Sequence, residues 1–150
     1  MKRFMIVFGL IAGSLLAQTP ADIAERKTIA SKVLGEERAF WVRVPNGYAP
    51  DGEARYPVLY MTDGDAQMVH TVATVAFLER SGKIPQLIVV GVGNTDRTRD
   101  LTPSRATMTD RDGAPVEFPT SGGGGRFLEF FESELIPWVE SNERTQPFRV

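Results

Sequence analysis

The fold class is decided by one stretch of sequence, residues 57–92, which reads PVLYMTDGDAQMVHTVATVAFLERSGKIPQLIVVGV. Its two ends, residues 57–61 and 87–92, are short and continuously apolar, the pattern of strands that are covered on both faces. Between them, apolar residues recur at helical spacing, and these are Val69, Val72, Ala73, Ala76 and Phe77. The spacing predicts a helix over residues 67–80 with one buried side. A strand, a helix and a strand in this order predict an α/β fold whose sheet is at least partly parallel.

The boundaries of this helix follow from the residues on either side of it. Asp63-Gly64-Asp65 interrupts the first apolar run, and Asp65 is predicted as the helix N-cap because a short carboxylate accepts from the free N–H groups of a first turn. Gly82 is predicted to end the helix.

Further predicted elements lie on either side of this strand–helix–strand unit. Residues 37–44 alternate as a half-buried strand does, and residues 126–141 carry apolar side chains at helical spacing, with a kink or break expected near 133–137 because Pro137 lacks an N–H. A last strand begins near residue 146. Residues 93–125 show no clear periodicity, and a loop of that length is either functional or wrongly assigned.

Composition excludes several classes of protein. The 150 residues include 17 Lys and Arg against 19 Asp and Glu, a net charge of −2 that gives no support to a nucleic-acid partner. Without Cys, a disulfide framework and a thiolate metal site are impossible, and a single His excludes a multi-histidine metal site. We therefore expect neither a metal nor another cofactor.

The N-terminus has the pattern of an export signal. Lys2 and Arg3 precede an uncharged apolar run over residues 4–17, in which small residues gather toward the end. A helix of this length rises about 21 Å, less than the roughly 30 Å of a bilayer core, so a permanent membrane span is not expected. We predict a signal peptide over residues 1–17, with a boundary as late as 21, a periplasmic or secreted protein without membrane attachment, and a single domain from residue 22 to 150.

The residues of a serine-hydrolase triad are not recognisable. A nucleophile elbow requires Gly-x-Ser-x-Gly, and the nearest serine, Ser121, has Pro119 where the first glycine should stand. The only imidazole, His70, precedes any credible serine, which is the wrong order for this class of enzyme. We interpret Ser121 as part of a loop and His70 as a structural residue.

Other polar clusters have simpler explanations. The pairs Asp63/Asp65 and Asp110/Asp112 could serve acid–base or calcium chemistry, but both are typical of turns. Glycines 122–125 lack the Lys-Ser or Lys-Thr of a phosphate-binding loop.

The arginines of residues 93–125 are interleaved with aspartates. This group comprises Arg97, Arg99, Arg105 and Arg111 with Asp96, Asp100 and Asp110. The pattern favours an ion-pair network that orders the loop, and the alternative is an arginine that faces a pocket and holds a polar substrate group.

Three stretches together carry a family resemblance. PVLYMTDGD at residues 57–65, IPQLIVVGVGNTDRTRDLTP at 84–103 and SGGGGRFLEFFESELIPWVESNERTQPFRV at 121–150 resemble the "Putative esterase" family of α/β-hydrolases, which includes ferric-siderophore esterases, S-formylglutathione hydrolases and feruloyl esterases. The similarity covers residues 31–150.

The resemblance implies a three-layer α/β/α sandwich with a mixed, mostly parallel sheet, and a small-molecule ester as substrate. It implies that the backbone N–H of Asp65, or of Gly64, forms the first half of an oxyanion hole, with Asp63, Arg97 and Arg99 at the rim of the substrate pocket. It also implies that the chain stops within the nucleophile strand, before all three triad residues. We therefore expect the N-terminal part of a secreted serine esterase, inactive alone.

A second class stays open. The chain could be a secreted, non-catalytic binding module, or a half-domain that a partner chain completes. An uncovered sheet edge would also favour self-association.

Overall fold

The computed structural model describes residues 23–150. The predicted signal peptide lies outside the described residues. The elements, in chain order, are β1 (Glu25–Ser31), β2 (Glu36–Arg43), β3 (Tyr56–Met61), α1 (Gly64–Arg80), β4 (Ile88–Val92), α2 (Arg97–Asp100), β5 (Ala106–Thr109), β6 (Pro115–Phe118), α3 (Gly124–Phe130), a π-helical turn (Phe131–Leu135), α4 (Ile136–Asn142) and β7 (Thr145–Arg149).

The main sheet has five strands in the order β1-β2-β4-β3-β7. β3 pairs in parallel with both β4 and β7, whereas β2 is antiparallel to its neighbours β1 and β4. Four strands therefore run in one direction and β2 alone is reversed, which confirms the mixed, mostly parallel sheet. Phe148 on β7 and Val150 just beyond it are exposed at the edge of the described sheet. Self-association through that edge stays a prediction.

The sheet is covered on both faces, because the side chains of the central strand β4 alternate between two apolar clusters. Val90 packs with Phe130 and Leu135 on the face that the π-helical turn and its flanking helices cover. Val89 packs with Met68 and Val72 of α1 on the opposite face. The three-layer architecture is thereby confirmed, and the fully apolar sequence of β4 follows from it.

Helix α1 differs from its prediction at its start and in its rotation. Asp63, not Asp65, is the capping residue, and the helix begins at Gly64. The buried residues are Met68, Val72 and Val75, whereas Val69 and Phe77, both predicted to be buried, are 44% and 55% exposed. The apolar residues form too broad a stripe for periodicity to fix the rotation. The close contact of Gly64 with the backbone of β4 fixes it instead.

The long C-terminal helical segment is irregular just before Pro137, as predicted. The N–H of Ile136 donates to the carbonyl of Phe131, five residues earlier, which is the π-helical pattern. Phe127, Phe130, Leu135 and Val139 are buried against the sheet, so the spacing of buried residues widens across the turn.

Residues 93–125 are more ordered than predicted. They contain the short helix α2 and a hairpin formed by β5 and β6, whose turn is closed by Asp110. The carboxylate of Asp110 accepts from the N–H groups of Asp112 (2.9 Å) and Ala114 (2.8 Å), so the interpretation of the Asp110/Asp112 pair as a turn is confirmed. The two strands are four residues each, too short for periodicity to reveal.

Candidate active site

The loop between β3 and α1 has an unusual backbone. Asp63 adopts the left-handed conformation, with φ 55° and ψ 33°, and is the single non-glycine residue with positive φ among residues 23–150. This conformation costs a residue with a Cβ about 1 kcal/mol or more unless the surroundings hold it. Because β3 is parallel to β4 and β7, the loop lies at the carboxyl ends of all three strands, where ligands of open α/β sheets bind.

The carboxylate of Asp63 is held from the loop after β4. Arg97 donates to it through Nε (2.8 Å to Oδ1) and through a terminal nitrogen (3.0 Å to Oδ2), and the amide of Asn94 donates to Oδ1 at 2.6 Å. The hydrogen bonds from Arg97, and then that from Asn94, hold the pKa of Asp63 below its usual value. The Asn94 amide also reaches the carboxylate of Asp65 at 3.3 Å, so one side chain bridges both aspartates.

The N–H groups of residues 64–67 fall into two pairs. The N–H groups of Ala66 and Gln67 donate back to the carbonyl of Asp63, at 3.0 and 2.8 Å. Those of Gly64 and Asp65 donate to no acceptor within the part of the chain that the structure describes. Unpaired N–H groups in a first helical turn, with the positive end of the helix dipole behind them, stabilise negative charge on an oxygen.

The position of these donors is fixed by close packing of Gly64 on β4. A Cβ at Gly64 would overlap the backbone of Gly91, and a Cβ at Gly91 would come within 3.0 Å of the Gly64 Cα. Gly64 therefore has to be glycine for α1 to start where it does, and a Cβ at Gly91 would force its neighbours to shift by a few tenths of an ångström. This contact also explains why the otherwise Val- and Ile-rich strand β4 contains a glycine.

A network of ion pairs joins β2 to helix α2, in the segment that follows β4. Arg38 of β2 pairs with Asp100 of α2, and both side chains are almost completely shielded from solvent. Arg99 donates to Asp100 at 2.8 Å and to Glu36 at 2.6 Å. Burial alone would raise the pKa of Glu36, but the hydrogen bonds and charges of Arg99 and Arg38 outweigh it and lower that pKa.

An ion-pair network is present, but it is not the predicted one among the charges of residues 93–125, because most of its partners come from outside this segment. Only the Arg99–Asp100 pair joins two members of the predicted group. Asp96 instead caps α2 by accepting from the N–H of Arg99 at 2.9 Å. Arg105 donates to the carbonyl of Pro119.

The predicted rim residues have different surroundings. Asp63 and Arg97 pair with each other, and the Arg97 side chain is 65% exposed. Arg99 is bound on both sides by carboxylates, which together raise its pKa. Asp63 and Arg97 thus contact each other, Arg99 contacts Glu36 and Asp100 instead, and the place of all three at a pocket rim stays a prediction.

A cavity of about 460 Å³ opens between this loop and helix α3. Its walls are mostly apolar and include Thr62, Leu101, Pro103, Phe127, Leu128 and Phe131. Asp100 also borders the cavity, but its carboxylate is paired with Arg38 and Arg99. The cavity thus suits an uncharged, apolar group.

Ser121 and two of the glycines make structural hydrogen bonds, whereas the interpretation of His70 as a structural residue is not supported by its exposed position. The hydroxyl of Ser121 donates to the carbonyl of Phe118 (2.6 Å) and accepts from the N–H of Ala106 (2.8 Å), so it closes the base of the hairpin. His70 is exposed on α1. The N–H groups of Gly123 and Gly124 donate to the carbonyls of Arg99 and Thr102 at 2.9 Å each, so they are not free to bind a phosphate.

Metal-binding clusters and membrane-spanning helices are both missing from the described residues. Within residues 23–150, no cluster of three or more His, Asp or Glu side chains is placed to hold a metal ion. None of the helices in the same range combines the length and the apolar character that a membrane span requires.

Comparison with solved structures defines the class. The chain is similar to an IroE-like serine hydrolase from Shewanella oneidensis, with 36% sequence identity over 84% of this chain and 40% of that one and a TM-score of 0.76. It is also similar to the BES protein from Bacillus cereus, at 26% identity over 97% of this chain and 53% of that one, with a TM-score of 0.66. The enterobactin esterase FES from Shigella flexneri, at 16% identity over 82% of this chain and 27% of that one and a TM-score of 0.58, shares the fold. The fold is that of the α/β-hydrolase esterases.

The family model described as "Putative esterase" matches residues 31–150, and the chain belongs to that family. No curated protein sequence gives a significant match. The chain spans 40% of the Shewanella hydrolase and 53% of the Bacillus protein.

Sequence reasoning missed three features of this site: Asn94, Arg38 and the contact between Gly64 and Gly91. Asn94 and Gly91 stand in the segment GVGNTDRTRD, where a glycine within a buried strand signals close approach of another backbone. Arg38 gave no signal, because a charged residue in an alternating strand is ordinarily placed on the solvent face.

Proposed function

We propose that this chain is the N-terminal part of a carboxylic-ester hydrolase of the serine type, and that it supplies the first half of the oxyanion hole. The observation that carries the proposal is the two backbone donors at Gly64 and Asp65, which lie at the carboxyl end of β3 and have no acceptor among residues 23–150. Family membership supports the reaction class.

In ester hydrolysis, the proposed role of these donors is to stabilise an oxyanion. When a nucleophile attacks an ester carbonyl, the carbonyl oxygen becomes an oxyanion, and preorganised N–H groups stabilise it more than they stabilise the substrate. The N–H of Asp65 is the proposed donor, with that of Gly64 beside it. A second donor would come from the residue after the nucleophile.

The nucleophile is proposed to lie beyond β7. That strand runs parallel to β3: the Tyr60 N–H donates to the Val150 carbonyl, and the Val150 N–H donates to the Val58 carbonyl, each at 2.9 Å. Chain continuing past Val150 would pass the loop that holds Asp65. The 150 residues contain no Gly-x-Ser-x-Gly, so we propose that they are inactive alone, since loss of a triad costs about a million-fold in rate.

A small-molecule ester is the proposed substrate. The apolar cavity beside Thr62 favours an ester with an uncharged acyl or alcohol group. Export to the periplasm or beyond is proposed from the N-terminal composition alone, with Lys2 and Arg3 ahead of an uncharged apolar run.

The test begins with the coding DNA after Val150. We expect an in-frame continuation with Gly-x-Ser-x-Gly within about a dozen codons. The longer product should hydrolyse p-nitrophenyl esters and react with a fluorophosphonate probe, and the 150-residue chain, as matched control, should do neither. A stop codon followed by an unrelated gene would favour a secreted binding module or a half-domain completed by a partner chain. Labelling of the 150-residue chain would contradict its proposed inactivity.

A further inference from the structure

We infer that Arg97 and Asn94 are positioning residues: by clamping the carboxylate of Asp63 they hold it in its left-handed conformation and so aim the N–H groups of Gly64 and Asp65 at the substrate oxygen. The inference rests on the proposed function and adds residues that do not themselves touch substrate.

The backbone of Asp63 is strained. Its φ of 55° is one that a glycine adopts freely and an aspartate adopts at a cost. The usual compensation for a capping aspartate, a hydrogen bond from its side chain to the first helical turn, is missing here. The carboxylate instead accepts three hydrogen bonds from Arg97 and Asn94.

The backbone conformation of Asp63 determines the direction of both proposed donors. Gly64, directly after Asp63, contributes one N–H, and Asp65 contributes the other. Rotation of the Asp63 backbone toward an ordinary conformation would therefore redirect both groups. The packing of Gly64 on Gly91 fixes where α1 starts, and the hydrogen bonds to the Asp63 carboxylate hold the side chain of the residue just before it.

The contacts of Arg97 favour a positioning role over direct binding of substrate. Two of the guanidinium nitrogens of Arg97 already donate to Asp63, and the pair is bidentate, the geometry in which an arginine is most rigidly held. A substrate anion would find only the Nη1 side of the guanidinium not engaged by Asp63, so the clamp is the role that the observed contacts support. We therefore expect its replacement to change turnover rather than substrate affinity.

The experiment is a double-mutant cycle in the complete gene product, with Arg97→Met, Asp63→Gly and the two combined. Arg97→Met should lower kcat roughly tenfold to a hundredfold with little change in KM, a smaller loss than removal of an oxyanion donor. Glycine needs no clamp to hold a positive φ, so Arg97→Met should have almost no further effect in the Asp63→Gly background. Asn94→Ala provides a second, milder variant, and Arg111→Met, an exposed arginine of the hairpin turn, is the matched control.

A second readout does not depend on activity. The backbone amide signals of Gly64 and Asp65 in NMR spectra should shift in Arg97→Met and stay in place in Arg111→Met. Unchanged signals would overturn the inference, as would multiplicative losses of kcat in the cycle or a rise in KM at constant kcat. An inactive wild-type protein whose signals shift as expected would instead contradict the proposed function and leave the clamp in place.

Discussion

Arg38 and Asp100 form an ion pair whose side chains are 0% and 1% exposed, the most deeply buried charged contact that the structure describes. Arg38 also donates to the carbonyl of Gly93 at 3.1 Å, and its guanidinium lies 5.3 Å from the ring centroid of Phe127. One side chain on β2 thus joins the sheet to α2, to the loop after β4 and to α3. The segment that bears Asn94 and Arg97 is anchored from behind by this pair.

Replacement of either partner should be costly. Arg38→Met leaves the Asp100 carboxylate buried with only Arg99 to balance it, and we expect the free energy of unfolding to fall by about 3–5 kcal/mol. The double variant Arg38→Met/Asp100→Asn should lose less than the sum of the two single variants, because it leaves no buried charge unpaired. Unfolding in urea measures the free energy of unfolding of the two single variants and of the double variant.

The exposed pair between Lys27 and Glu25 supplies the control for this prediction. Lys27→Met should change the free energy of unfolding by less than about 1 kcal/mol. Equal effects of Lys27→Met and Arg38→Met would show that burial of the pair does not matter.

Gly64, which packs on Gly91 beneath the candidate site, should tolerate no side chain. Gly64→Ala places a methyl group against the backbone of Gly91, and we expect the free energy of unfolding to fall by about 1–3 kcal/mol. The loss should appear as a lower midpoint of thermal unfolding. Gly125→Ala is the matched control, because a Cβ there meets open space and alanine favours the helix. Destabilisation by both substitutions alike would contradict the role of the contact.

The stability of the protein should depend on pH through Glu79. This carboxylate accepts from Arg43 at 2.9 and 2.8 Å and from the N–H of Leu87 at 2.9 Å. Burial alone would raise the pKa of Glu79, but these hydrogen bonds and the charge of Arg43 hold it below 4.5. Because the folded-state pKa is depressed, the stabilisation is fully present above the unfolded value and is lost as the pH falls through the folded one.

The measurement is the free energy of unfolding of wild type and Glu79→Gln at several pH values. We expect Glu79→Gln to be the less stable protein at pH 7 and the gap to narrow as the pH drops below about 4.5. Glu132→Gln, at an exposed helical position, controls for the loss of one negative charge. A gap that stays constant down to acidic pH would be incompatible with this role of Glu79.

The proposed oxyanion donor can be removed without removing the helix. Proline has no N–H and is tolerated in a first helical turn, so Asp65→Pro should delete the donor while α1 still forms. In the complete gene product we expect kcat to fall about a hundredfold to a thousandfold. Asp65→Ala keeps the N–H and should stay near wild type, and circular dichroism checks that both variants fold. Equal activity of the two variants would exclude the Asp65 N–H as a donor.

The central part of the fold was predictable because its signals are local. The apolar runs at 57–61 and 87–92 and the helical spacing between them needed no tertiary information. Strand β1 was missed because its sequence, ERKTIAS, is mostly polar and stands at the edge of the described sheet. The rotation of α1 was wrong since it depends on a contact between Gly64 and Gly91, residues that are distant in sequence.

The candidate site was predictable only in part for the same reason. The pattern MTDGD pointed to the loop, and NTDRTRD to charged residues near it, but no pattern indicated that Asp63 and Arg97 would pair. The left-handed backbone of Asp63 was also not predicted, because aspartate adopts this conformation only occasionally and the sequence does not reveal the hydrogen bonds that accompany it here.

The π-helical turn between α3 and α4 has a consequence for comparing this chain with its relatives. The buried residues step from Phe130 to Leu135 across it, one position more than the four-residue step of an unbroken helix. A turn of this kind absorbs a one-residue insertion without rotating the helix on its C-terminal side. Relatives with a straight helix here should therefore align with a single-residue gap inside Phe131–Leu135, and α4 should keep the same side toward the strands on both sides of that gap.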